Sequence, residues 1–158
     1  MTRRSPAVIL LCALAASCGE SGGRTTAPQP QAAPATSSWQ PSPKAISAES
    51  ADKTYVASWE PEAGSIPDAE PFNMRFAIRR SDGKPIAADV RFMVDAEMPH
   101  HGHGMNLVPT MTRAGQWNGQ ELVVASGMLL HMPGRWVLSL DTEEDGVLER
   151  TQWFIDVE

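Results

Sequence analysis

Apolar and polar residues alternate along several short stretches of the chain beyond Ala51, and this alternation constrains the fold more than any other feature. In residues 72–79 four apolar residues are separated by Asn, Arg and Ala, and in residues 88–97 the apolar positions again recur every second residue. Successive side chains of a β-strand point to opposite faces, so a strand with one buried face has this pattern. We therefore predict two strands, each with one face in a hydrophobic core.

Six more short segments have the composition of strands, and turns rich in glycine and proline separate them. They are residues 54–60, 107–111, 122–124, 128–132, 136–140 and 151–157. We find no convincing amphipathic helix, and Pro109 predicts that its strand lies at a sheet edge. Strands at such short intervals predict an all-β domain, an antiparallel β-sandwich of immunoglobulin-like type with about seven or eight strands. A small barrel is the alternative.

The beginning of the chain is typical of an export signal. Arg3 and Arg4 precede an apolar run over residues 7–16, which at about ten residues is too short to span a bilayer. Small residues then precede Cys18, as in bacterial lipoprotein signals that are cleaved to leave a lipid-bearing cysteine at the new N-terminus. We predict a signal peptide over residues 1–17 and a periplasm-facing lipoprotein on the inner or outer membrane. An exported protein that is cleaved nearby without lipid is the alternative.

Residues 18–51 are rich in Ala, Pro, Ser, Thr and Gln and contain few side chains that could form a core. Segments of this composition cannot offset the entropy lost on ordering. We predict a lipidated Cys18 followed by a disordered tether. The remaining residues, 52–158, are then a single folded domain, and about 105 residues are enough for one core.

Charge and cysteine content restrict the function. Loss of Arg3 and Arg4 with the signal peptide changes the formal net charge from −6 to −8, because 11 basic residues then face 19 acidic ones. Such a chain is a poor partner for nucleic acid or anionic lipid and a fair one for cations. Cys12 is also lost with the signal peptide, so a chain lipidated at Cys18 would have no free thiol and no disulfide. Any soft-metal ligand would then be methionine or histidine.

All four histidines lie in two short segments that also contain methionine. The seven candidate ligands are Met98, His100, His101, His103, Met105, His131 and Met132. Cuprous copper prefers thioether and imidazole, whereas zinc prefers imidazole, thiolate and carboxylate. Five of the seven methionines that remain after signal removal lie at positions 98–132, together with every histidine. We therefore predict a metal site, with copper as the metal.

The first of these segments follows a predicted strand, and its glycines and proline indicate a loop. If the end of that strand and the Pro133-Gly134 corner lie at the same pole of the sandwich, the two segments meet. Alternation along residues 128–132 would place His131 and Met132 on opposite faces, so we favour Met132 as a ligand over His131. A loop whose histidines bond only to backbone or water is the alternative. Three further methionines are predicted to be packing residues: Met74, Met93 and Met128.

The two segments resemble those of the YtkA-like domain family and, more distantly, of the FixH-like proteins that accompany bacterial oxidase assembly. The likeness rests on Met98-Pro99-x-His101-Gly102-His103-Gly104-Met105, on Gly115-x-Trp117 and on Met132-Pro133-Gly134-x-Trp136. It covers about residues 71–157. It implies a small exported or lipid-anchored β-sandwich, with copper handling in some members. The ligands that it implies are Met98, His101, His103, Met105 and Met132. The membrane helix expected of a FixH-like protein has no match in this sequence.

We predict a monomeric copper-binding lipoprotein that attaches to the membrane through Cys18 and passes copper to a membrane cuproenzyme or copper transporter. No nucleophile elbow, phosphate loop or available cysteine is present in the sequence, so we predict that it is not an enzyme. The alternative is a metal-free structural or interaction module of the cell envelope whose loop binds a protein partner. A third and less favoured interpretation is a hydrolase that uses His103 with Asp95 or Glu97.

Overall fold

A computed structural model describes residues 39–158, and none of these residues is helical. The predicted signal peptide and Cys18 lie outside this range, and no helix within it is long and apolar enough to cross a membrane. The strands are β1 (Ile46–Glu49), β2 (Tyr55–Pro61), β3 (Phe72–Arg80), β4 (Arg91–Met98), β5 (His103–Gly104), β6 (Thr110–Trp117), β7 (Gln120–Met128), β8 (Gly134–Glu144) and β9 (Val147–Val157). The prediction of an all-β fold is confirmed for residues 39–158, which form nine strands instead of seven or eight.

The strands form two antiparallel sheets. The larger sheet has the order β1-β2-β3-β7-β6, and the smaller has the order β5-β4-β8-β9. Alternate side chains of both sheets join one hydrophobic cluster, and the Phe76 ring of the larger sheet lies 6.3 Å from the Trp153 ring of the smaller. The fold is therefore the antiparallel β-sandwich that the alternation predicts.

Strand β4 carries the first candidate ligand and has the predicted alternation. Its even-numbered residues, from Phe92 to Met98, are buried and its odd-numbered residues are exposed. Met98 is only 2% exposed, so the inward phase of the strand continues to its last residue. The prediction that Met93 packs in the core is wrong, because this odd-numbered residue lies on the outer face and is 43% exposed. Met74 and Met128 are fully buried, as predicted.

The prediction of a strand over residues 128–132 is wrong. Strand β7 ends at Met128, residues 129–133 are irregular, and β8 begins at Gly134. Because β7 belongs to the larger sheet and β8 to the smaller, these residues carry the chain from one sheet to the other. A segment that crosses between sheets does not follow the two-residue alternation of a strand. Strand alternation therefore does not place His131 and Met132 on opposite faces.

The predicted tether also contains structure, since β1 lies within residues 18–51. Hydrogen bonds attach this part of the chain to the sandwich: the Ser50 hydroxyl donates to the Glu149 carboxylate at 2.7 Å, and the Ala51 amide donates to the Arg150 carbonyl at 3.0 Å. The Trp39 indole donates to the Glu60 carboxylate at 2.6 Å. The folded part of the chain thus begins before residue 52. Polar contacts, rather than a run of apolar residues, attach β1 to the domain.

Candidate metal site

The two methionine–histidine segments, residues 98–105 and 131–134, meet at one end of the sandwich, which we call the pole. Met98 ends β4 and Gly134 begins β8, and a Cβ atom added to Gly134 would lie 2.8 Å from the Met98 Cε atom. The methyl end of the Met98 side chain therefore lies against the Gly134 backbone. The juxtaposition predicted from sandwich geometry is confirmed for these two residues.

The chain reverses direction immediately after Met98. The Met98 carbonyl accepts hydrogen bonds from the His101 and Gly102 amides, both at 3.0 Å. Gly102 has a φ of 63°, a left-handed conformation that glycine adopts at little cost. The chain then pairs back against β4 as the two-residue strand β5, in which His103 is opposite Met98. The predicted loop is therefore a tight hairpin with a second, very short strand.

This hairpin determines which side chains face the same way. Directly opposite residues of an antiparallel pair project to the same face, so His103 shares the inward face of Met98 while remaining exposed at the sheet edge. The Met105 amide donates to the Ala96 carbonyl at 3.0 Å, and the partly buried Met105 side chain packs against the core. Met98, His103 and Met105 are therefore neighbours at the end of the smaller sheet.

Asp95 and Glu97, the acidic residues of the hydrolase interpretation, differ from His103 in the face of the smaller sheet on which they lie. Asp95 and Glu97 are exposed, odd-numbered residues of β4 and point to the outer face of the smaller sheet. His103 points to the opposite, inward face.

The second segment lies against a buried tryptophan. The Trp136 indole nitrogen donates to the Met132 carbonyl at 3.0 Å, and the His131 ring makes an edge contact with the Trp136 ring at 5.8 Å and 73°. Met132 is partly buried against the core. His131 is also partly buried, and its Nδ1 atom has no hydrogen-bond partner within residues 39–158.

The seven candidate ligands thus differ in their surroundings. Met98 is buried, while Met105, His131 and Met132 are partly buried at the pole. His100 and His101 are exposed at the tip of the turn and His103 is exposed at the sheet edge. In the part of the chain that the structure describes, no three His, Cys, Asp or Glu side chains come together to hold a metal ion.

Sequence reasoning missed two residues that shape this pole. Gly134 provides the space for the end of the Met98 side chain, and Trp136 holds both His131 and Met132. The only sequence signal for these roles was the motif Met132-Pro133-Gly134-x-Trp136, in which both residues appear as turn or core positions.

The chain was compared with protein-family models, with curated proteins and with solved structures. None of them matches it.

Proposed function

We propose that this protein is a lipid-anchored copper-binding module of the cell envelope. The observation that carries the proposal is the contact of Met98 with Gly134, which joins the two segments that contain all four histidines. Thioether and imidazole are the ligands that cuprous copper prefers. The resemblance of the same segments to the YtkA-like family supports the same function.

We further propose that the module passes its copper to a membrane cuproenzyme or copper transporter. Three histidines are exposed around the pole, and the Val108 side chain, shortly after Met105, is 95% exposed. A copper ion bound at this exposed pole would be accessible to the ligands of a partner protein. Copper is cargo in this proposal, and no catalytic step is assigned to the protein.

Copper titration tests the proposal directly. We expect the protein to take up stoichiometric Cu(I) under anaerobic, reducing conditions, measured by competition with a chromophoric cuprous chelator. Met98→Leu and Met132→Leu, which remove sulfur while nearly preserving volume, should each weaken the affinity by about tenfold or more. Met74→Leu is the matched control, because Met74 is equally buried but lies in β3 of the other sheet. Failure to bind Cu(I) or Cu(II) would refute the metal proposal.

The lipid anchor is proposed from the cleavage pattern that ends at Cys18. Cys18→Ser removes the thiol to which lipid would be attached and should release the protein from the membrane fraction. Fractionation followed by immunoblotting measures this. Continued membrane association of the variant would show that attachment occurs elsewhere.

A metal-free interaction module is the second candidate. An open groove of about 570 Å³ lies at one edge of the sandwich and is lined in part by Ile46, Trp59, Ile66 and Phe154. Phe154 is 72% exposed there. If the titration detected no copper binding, the interaction module would be the remaining candidate function.

A further inference from the structure

The His131 Nδ1 atom lacks a partner in a place where polar atoms normally have one. It is buried, and within residues 39–158 no donor or acceptor reaches it. Buried polar atoms of folded proteins are nearly always hydrogen-bonded, and leaving one unpaired costs roughly 1–3 kcal/mol. The atom therefore requires an explanation.

Three other buried side-chain atoms among the described residues are also without a partner: Trp59 Nε1, Thr151 Oγ1 and Trp153 Nε1. Indole nitrogen is only a donor, and a neutral hydroxyl is a poor ligand for a soft cation. An imidazole nitrogen, in contrast, has a lone pair that binds copper well. Of these four atoms, His131 Nδ1 is the one suited to a soft metal.

The His131 ring is also held in position. Its edge contact with Trp136 and the hydrogen bond from Trp136 to the Met132 carbonyl attach the crossing segment to this fully buried residue of β8. Rotation of the ring toward solvent would break its contact with Trp136. The contact with Trp136 therefore limits the positions that the His131 ring can adopt.

The exposed histidines have a different environment. His100, His101 and His103 lie at the surface, where water satisfies imidazole nitrogens. His131 instead lies on the same short segment as Met132, and Gly134 of that segment contacts Met98. These contacts place His131 in the segment that meets the Met98 side chain, whereas His103, although it is opposite Met98 in the hairpin, is exposed.

We infer that the pole is a cuprous site in which His131 binds copper through Nδ1 and the thioethers of Met98, Met105 and Met132 supply the sulfur. This inference rests on the proposed function and adds the ligand set and the oxidation state. A site with one imidazole and no carboxylate or thiolate selects Cu(I) over Cu(II) and Zn²⁺, which prefer more nitrogen, oxygen or charged sulfur ligands.

Variants of the four histidines test the assignment. His131→Ala and His131→Phe should both weaken Cu(I) affinity by about tenfold or more. The phenylalanine variant keeps a ring against Trp136, so thermal unfolding of the apoprotein should remain close to that of the native chain. His100→Ala, His101→Ala and His103→Ala, which remove the exposed candidate ligands, should weaken the affinity much less than either His131 variant, and Met74→Leu in the other sheet is the matched control. Native-like Cu(I) affinity in both His131 variants would overturn the inference.

X-ray absorption of the Cu(I)-loaded protein gives an independent measure. We expect sulfur scattering together with a single imidazole, and loss of the imidazole signal in His131→Phe. A sulfur-only spectrum of the native protein, or displacement of Cu(I) by equimolar Zn²⁺, would contradict the ligand set. Copper binding that does not depend on His131 would leave the proposed function intact, whereas failure of the native protein to bind copper would refute both.

Discussion

At the scale of single residues, Gly134 connects the backbone conformation of the pole to the position of a candidate sulfur ligand. Its φ of 125° is one that side-chain-bearing residues rarely adopt, and the space beside it is taken by the Met98 methyl group. An added Cβ would meet the flexible end of a side chain rather than backbone. Met98 would therefore move, and with it the sulfur that we assign to copper.

We expect Gly134→Ala to weaken Cu(I) affinity by about tenfold, since the new methyl group displaces the end of Met98. Gly127→Ala is the matched control, because Gly127 also has a positive φ, 84°, but has nothing within 4 Å of an added Cβ. Both variants should lose stability through backbone strain, on the order of 1–3 kcal/mol. Competition with a cuprous chelator measures the Cu(I) affinity and thermal unfolding measures the stability, so the two effects can be separated. If both variants lost Cu(I) affinity equally, the loss would result from backbone strain and not from displacement of Met98.

At the scale of elements, the strands that could be predicted are those with one face in the core and the other in solvent. Strand β4 alternates along its whole length, because the core and water lie on opposite sides of it. The local sequence therefore alternates between apolar and polar residues along the strand. The same alternation, continued by one residue beyond 97, agrees with the inward orientation of Met98.

Two elements could not be predicted, because distant contacts determine them. Strand β1 pairs with β2, and the next residue, Ser50, reaches Glu149 nearly 100 residues later in the chain. Burial acts to raise the pKa of Glu149, but hydrogen bonds from Thr54, Ser50 and nearby backbone outweigh it and lower the pKa. Nothing in the local composition of residues 46–49 indicates this network. Residues 129–133 have the apolar composition of a strand but cross between sheets.

The candidate site, like the strands, could be predicted only in part from the sequence. The sequence indicates which two segments carry the ligands, because histidine and methionine are concentrated there. It does not indicate which histidine is partly buried, since that depends on the contact of His131 with Trp136. The preference for Met132 over His131 came from an alternation that the crossing segment does not have.

At the scale of the whole molecule, the pole includes one of the connections by which the chain passes from one sheet to the other, that between β7 and β8. Met98 ends β4 and Met105 follows β5, both of the smaller sheet, whereas His131 and Met132 lie in the crossing that begins at β7 of the larger sheet. An ion bound by these residues would join the crossing to the end of β4. Binding should therefore stabilise the closure of the two sheets and not only a local turn.

This placement predicts that Cu(I) raises the thermal stability of the entire domain. A ligand that binds only the folded state at a free concentration of 100 times its Kd adds about 2.7 kcal/mol, which for a domain of this size raises Tm by on the order of 10 °C. Anaerobic thermal unfolding with and without Cu(I) measures the shift, and His131→Phe at the same copper concentration should show much less of it. Tight copper binding without a change in Tm would contradict the placement. The ion would then be held by exposed residues of the turn, such as His100 and His101, whose ordering does not depend on the contact between Met98 and the crossing segment.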